Sequence, residues 1–160
     1  MTFSKLSTKN WRGGGTPRLE DKQWNSISLL GLVLLVMALT QLVSFSAFKD
    51  ILAVIGLGKP AAWAVGLIIA EVWAASTFFK VRLSSAFRLV GSGLALLVAG
   101  FWFVETVRQA AMSPDMASPV SNVGYFGRFL AQQPGWWTII EVTILLFYTL
   151  YAVDLTKNSD

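Results

Sequence analysis

Apolar residues fill four long stretches of this 160-residue chain, at about 26–47, 61–79, 87–107 and 136–153, and the polar positions gather between them. None of the four carries the continuous polar face that a helix of a soluble bundle turns to water. Each comes close to or exceeds the ~20 residues a helix needs to cross the hydrocarbon layer. A lipid-exposed segment has to satisfy its backbone polar groups internally, which a helix does. The pattern predicts an all-α membrane protein, a four-transmembrane-helix antiparallel bundle over 26–155. It is preceded by a flexible basic arm at 1–25 and followed by a short tail at 156–160.

The connections refine this picture. The first helix is expected to end near Phe48-Lys49-Asp50, and a short outward segment then runs from Ile51 to Lys59. Pro60 suits the first turn of the second helix. A brief turn through Ser84-Ser85 joins the second and third helices, and an outer loop at 109–135 holds Pro114, Pro119 and Pro134. Loops of that length in compact proteins are functional or disordered. Trp136 and Trp137 open the fourth helix at an interfacial level, where indoles prefer to lie. Ala62, Gly66, Ala70 and Ala74 on the second helix, and Gly91, Ala95 and Ala99 on the third, recur every four residues. Small residues so spaced let helices approach closely in lipid, so these two helices are expected to pack through the stripes.

Hydrophobic residues make up 54% of the chain and charged residues 14%, against about 25% charged in soluble domains. The net charge of +4 is unevenly placed. Nine basic residues (Lys5, Lys9, Arg12, Arg18, Lys22, Lys80, Arg82, Arg88 and Lys157) fall on one side of the expected bundle. Four (Lys49, Lys59, Arg108 and Arg128) fall on the other. The positive-inside bias puts both termini in the cytoplasm. The basic excess then faces anionic lipid headgroups of the bilayer and is no footprint of nucleic acid. With no cysteine and no histidine, thiol chemistry, histidine haem ligation and ordinary zinc sites are excluded, and no metal is expected.

Three carboxylates lie within or at the edge of the apolar stretches: Glu71 near the middle of the second, Glu105 and Glu141 toward the outer ends of the third and fourth. A charge at mid-membrane costs at least ~2.5 kcal/mol, so such residues face the bundle interior or a partner. Lys49 and Arg108 are the candidate partners on the outer half. Gln41, with Thr40 and Ser44, gives the first helix a polar face; Glu141, Tyr148 and Tyr151 give one to the fourth. Proton transfer or binding of a quinone headgroup is one use of this set. An interhelical hydrogen bond or ion pair that fixes the bundle is the other.

The sharpest local motif is Asn122-Val123-Gly124-Tyr125-Phe126-Gly127-Arg128-Phe129, followed by Pro134-Gly135-Trp136-Trp137-Thr138-Ile139-Ile140-Glu141. Two glycines there bracket an aromatic pair in a tight turn just outside the membrane. In this region the chain resembles the MauE/DoxX group of small four-helix membrane proteins, in particular its methylamine-utilisation MauE branch. There the outer loop reads Cys-Gly-Cys-Phe-Gly before a Trp-Trp start of the last helix and an acidic residue. Gly124, Phe126, Gly127, Trp136, Trp137 and Glu141 match that arrangement, Lys49 falls on the usual basic position and Glu71 on the usual intramembrane Glu. The resemblance covers about 28–153 and implies a redox-associated role beside periplasmic partners; the expected location is a bacterial inner membrane, with both termini inside by the charge bias. Val123 and Tyr125 replace the two cysteines, and without a thiolate the chain performs no thiol–disulfide exchange.

Two functions are therefore expected. The favoured one is a non-catalytic membrane accessory or scaffold subunit, with no catalytic residue and no cofactor. It would dock a membrane or periplasmic protein through Tyr125, Phe126, Gly127 and Arg128, since aromatic and arginine side chains anchor interfaces. The alternative is a quinone- or lipid-binding subunit of a membrane oxidoreductase, built around Glu71. A homo-oligomer is compatible with either.

Overall fold

The computed structural model describes residues 19–112, 122–130 and 132–157. They form five α-helices and no strand: α1 (Asp21–Val43), α2 (Phe45–Val54), α3 (Pro60–Thr77), α4 (Ser85–Ala111) and α5 (Trp136–Lys157). Four of these, α1, α3, α4 and α5, are long and apolar enough to cross a membrane. Their outward faces carry large apolar side chains such as Leu29, Leu39, Ile69, Leu89, Leu97 and Phe147. Water would penalise such a surface and lipid would not, so the chain is an integral membrane protein.

Helix α1 begins earlier than the apolar pattern indicates. Glu20 and Gln23 form a reciprocal capping box, with the Glu20 backbone N–H donating to Gln23 Oε1 at 3.0 Å. Asp21 adds a negative charge at the positive end of the helix dipole. Residues 21–25 of the expected arm are thus helical, Leu19 and Glu20 precede the helix, and 1–18 lie outside the described residues.

The first apolar stretch is not one helix. It breaks at Ser44, whose hydroxyl donates to the Thr40 carbonyl at 2.6 Å, while Thr40 Oγ1 lies 2.8 Å from the Val36 carbonyl oxygen and 2.9 Å from that of Met37. Hydroxyls that bond back one turn bend helices. The end of that stretch and the first four residues of the segment expected to be loop, Ile51 to Val54, form α2, which buries Phe48 and Leu52. Gly56 (φ +89°) ends it: its N–H donates to the Ala53 carbonyl at 3.0 Å and that of Leu57 to the Leu52 carbonyl at 3.1 Å. This pair of bonds is the Schellman arrangement, in which glycine supplies the left-handed residue.

Helix α3 is central, packing against α1, α2 and α4, while α5 lies against α4 and less extensively against α1. The start of α1 meets the end of α3 (Ser28 Oγ donates to the Phe78 carbonyl, 3.2 Å), and the end of α1 meets its middle at Glu71. The small-residue stripes behave differently from expectation. On α4, Gly91, Ala95 and Ala99 are buried, and Gly91 lies so close to Thr77 Oγ1 that a Cβ would overlap it. On α3 only Ala74 is buried; Ala62 and Gly66 are exposed. The helices touch where Trp73 stacks on Phe87, with centroids 4.9 Å apart, and toward the other end Trp63 stacks on Phe101 with centroids 6.1 Å apart. An open groove of about 890 Å³ lies there, floored by Ala62, Gly66 and Gly100. Helices α4 and α5 outrun their apolar stretches, reaching Ala111 and Lys157, so residues 109–111 of the expected loop and 156–157 of the expected tail are helical. Pro114, Pro119 and residues 158–160 lie outside the described residues.

Candidate functional site

Glu71 is fully buried on α3, and its Oε1 accepts two hydrogen bonds, from Gln41 Nε2 (3.0 Å) and from Trp102 Nε1 (3.2 Å). Gln41 spends its other amide hydrogen on the Tyr125 carbonyl at 2.9 Å. One carboxyl therefore joins α1, α3 and α4, and through Gln41 it also ties down the outer loop. Gln41 and Trp102 are as completely buried as Glu71. Phe48 and Tyr125 enclose the Trp102 indole, with ring centroids 6.2 and 6.0 Å away. Glu71 lines neither the α3–α4 groove nor the two smaller cavities described on the bundle.

The loop folds into the end of the bundle. Asn122 organises it: Oδ1 accepts from the Gly124 N–H (3.0 Å) and Nδ2 donates to the Gly127 carbonyl (2.6 Å). The Val123 N–H donates to the Gln132 carbonyl at 2.9 Å, closing the base of the turn. Gly124 (φ +95°) and Gly127 (φ +56°) take left-handed conformations, which L side chains disfavour. Gly127 lies directly on the α1–α2 junction, where Ser44 Oγ also accepts the Arg128 N–H at 3.2 Å.

Of the four residues expected to contact a partner, Tyr125 and Gly127 are thus buried and Phe126 is half-buried. Their first task is to hold the loop. Arg128 is exposed, with its guanidinium 5.4 Å from the centroid of Phe129, and Phe129 and Leu130 are exposed beside it. Phe129 and Leu130 stand out only once the buried side of the turn is known.

The remaining polar residues divide into separate clusters. Glu105 is buried and meets Arg108 in a two-pronged pair (Nη2 to Oε1 2.5 Å, Nε to Oε2 3.0 Å), and Arg108 Nη2 also donates to the Ile55 carbonyl at 2.6 Å. This fork fastens α4 to the end of α2. Arg108 is therefore a carboxylate partner as expected. Lys49 pairs with none of the three intramembrane carboxylates; it is partly exposed on α2, 3.6 Å from Asp50. Glu141 does not share a lined face with Tyr148 and Tyr151. Tyr148 donates to the Ser26 carbonyl and lies 3.1 Å from Ser26 Oγ, Tyr151 is exposed, and Glu141 accepts from the Tyr125 hydroxyl. Among the described residues no group of three or more acidic residues could hold a metal ion.

Burial, and then the adjoining Glu141 carboxylate, push the Tyr125 phenol well above the usual tyrosine range. The folded chain thus keeps a proton that the unfolded chain releases from about pH 10 upward. Stability falls as pH rises wherever the folded state binds more protons. The unfolding temperature of the wild type should fall more steeply above that pH than that of Tyr125→Phe; parallel profiles would show that Tyr125 does not contribute.

Four apolar spans around a buried polar centre define a helical integral membrane protein. Compared with known proteins, the chain matches no family model, no curated protein and no solved structure.

Proposed function

We propose that the chain is a non-catalytic accessory or scaffold subunit of the MauE/DoxX type, docking a membrane or periplasmic protein through the exposed side of its outer loop. The observation that carries this reading is the division of the loop into two faces. Tyr125 and Gly127 are fixed against α1, the α1–α2 junction and the Glu71 centre and Asn122 ties the turn together, while Arg128, Phe129 and Leu130 are exposed beside that fixed base. A contact patch on a rigid support binds without a large ordering cost. An arginine stacked beside an aromatic ring is the side-chain chemistry of interface anchors.

In this reading the spans alternate in direction as an antiparallel bundle, which the α1–α3 contact register favours. Both termini face the cytoplasm of a bacterial inner membrane, favoured by the nine basic residues on that side. The loop then faces the periplasm. The test is purification in mild detergent followed by mass spectrometry of co-eluting proteins. The wild type should carry a stoichiometric protein. A variant combining Arg128→Ala, Phe129→Ala and Leu130→Ala should lose it by more than about ten-fold while unfolding at the wild-type temperature. A variant that keeps its partner, or a wild type that carries none, would overturn the proposal.

A further inference from the structure

Helices α1 and α5 are pinned together at one end by Tyr148 and Ser26 and separate toward the other. The outer loop bridges the gap there, and a cleft of about 330 Å³ lies beneath it. Val33 and Met37 of α1 form one wall, Val142 and Leu145 of α5 the other, and Phe126 lies at the loop end. These walls are apolar, and the cleft opens on the membrane-facing side of the helices, where Ile144 is exposed. Its polar edge consists of three side chains: Tyr125, Gln132 and Glu141.

The hydrogen bonding of these three is incomplete on a count of protons. The Tyr125 hydroxyl has one hydrogen, yet its oxygen touches two acceptors, a Glu141 carboxylate oxygen and Gln132 Oε1 at 2.5 Å. Gln132 Nε2 donates to the other Glu141 oxygen at 3.1 Å. Exchanging the amide nitrogen and oxygen of Gln132 does not help, because Oε1 then faces the carboxylate. With Glu141 as a carboxylate, either orientation of Gln132 leaves two acceptor oxygens in contact with no hydrogen between them, on an edge of the cleft that is open to a ligand. Glu141 is exposed, and neither side chain that binds its carboxylate is cationic. Glu141 lies five residues into α5 from Trp136, about 7.5 Å along the axis, and the exposed Trp136 and Trp137 mark an interfacial level. The carboxylate binds the outer-loop side chains Tyr125 and Gln132, which holds it at the interfacial end of the span.

We infer that this cleft is a lipid site selective for a primary-amine headgroup, that of phosphatidylethanolamine, with the ammonium donating to Glu141 and Gln132 and an acyl chain lying between α1 and α5. An ammonium supplies both missing features, a positive charge and N–H donors. Phosphatidylcholine has a similar charge arrangement but no N–H. Phosphatidylglycerol offers hydroxyl donors on an anionic headgroup, which the carboxylate repels. The inference requires only that the chain be embedded in a bilayer; it does not depend on a docked protein.

The test is native mass spectrometry of the full chain, delipidated in detergent and offered equal amounts of dioleoyl phosphatidylethanolamine, phosphatidylcholine and phosphatidylglycerol. The wild type should retain phosphatidylethanolamine about ten-fold over the other two, the ratio expected of one charge-assisted hydrogen bond. Glu141→Gln should bring the three to parity, and Ile144→Trp, which crowds the mouth of the cleft, should lower retention of the favoured lipid. Equal retention of all three by the wild type, preference for phosphatidylglycerol, or unchanged selectivity in Glu141→Gln would overturn the assignment. If Glu141→Gln fails to fold, the wild-type comparison decides alone.

Discussion

Replacing Glu71 by alanine should destabilise the folded chain by about 3 kcal/mol, while Glu71→Gln should cost less than about 1 kcal/mol. The difference follows from which atoms are used. Gln41 Nε2 and Trp102 Nε1 both donate to Oε1 of Glu71, and a glutamine at 71 keeps an accepting oxygen there. Alanine leaves two donors unpaired in a fully buried site, and each unpaired donor costs about 1–3 kcal/mol. Interhelical hydrogen bonds in membranes sit low in that range, because helices that separate within lipid find other partners. The total of about 3 kcal/mol therefore falls in the lower part of the combined range of about 2–6 kcal/mol.

Thermal unfolding followed by tryptophan fluorescence measures this directly, since Trp102 is part of the network. A double-mutant cycle of Glu71→Ala with Trp102→Phe should show a coupling of at least about 0.5 kcal/mol. Additive effects, or an alanine variant as stable as the wild type, would remove Glu71 from the role of central clamp. Gln41→Leu should loosen the loop as well as the centre, because Gln41 donates both to Glu71 and to the Tyr125 carbonyl.

Sequence reasoning reached some of this and missed the rest for physical reasons. The four spans were legible because length and hydropathy suffice for a segment that must satisfy its backbone alone. Glu71 and Gln41 were legible as costly polar residues in apolar runs, and Arg108 as a partner one turn from Glu105. Trp102 was not, since one indole among seven tryptophans declares its hydrogen-bond partner only through tertiary packing. The break at Ser44 was hidden inside an unbroken apolar run; it depends on hydroxyl–carbonyl bonds and on the loop pressed against that junction. The stripe on α3 was visible as spacing, but spacing does not tell which of its residues another helix covers. Tyr125 looked like a surface aromatic because nothing local announces that its hydroxyl reaches Glu141, sixteen positions away.

Gly127→Ala should cost about 3 kcal/mol and loosen the outer loop, more than any other glycine-to-alanine change in that half of the chain. Two costs combine there. A left-handed φ of +56° penalises any L side chain by about 1–2 kcal/mol. The added Cβ would also collide with Ser44 Oγ and come within 2.9 Å of the Thr40 carbonyl oxygen and 3.3 Å of Gln41 Cα. The last two are helix backbone and cannot swing aside, so the turn itself has to lift. Gly56→Ala separates the two costs: its φ of +89° is equally unfavourable, but nothing lies within 4 Å of the new Cβ. It should therefore lose only the conformational part. Gly66→Ala, with helical backbone and open space, should be neutral or slightly stabilising. Trypsin provides a second readout, because the bond after Arg128 lies in the segment that lifts and local opening governs its cleavage. Faster cutting in Gly127→Ala than in Gly56→Ala is expected. Equal unfolding temperatures and equal cutting would mean that the loop does not press on the α1–α2 junction. The fixed base beside which Arg128, Phe129 and Leu130 are exposed would then be lost as an argument for docking.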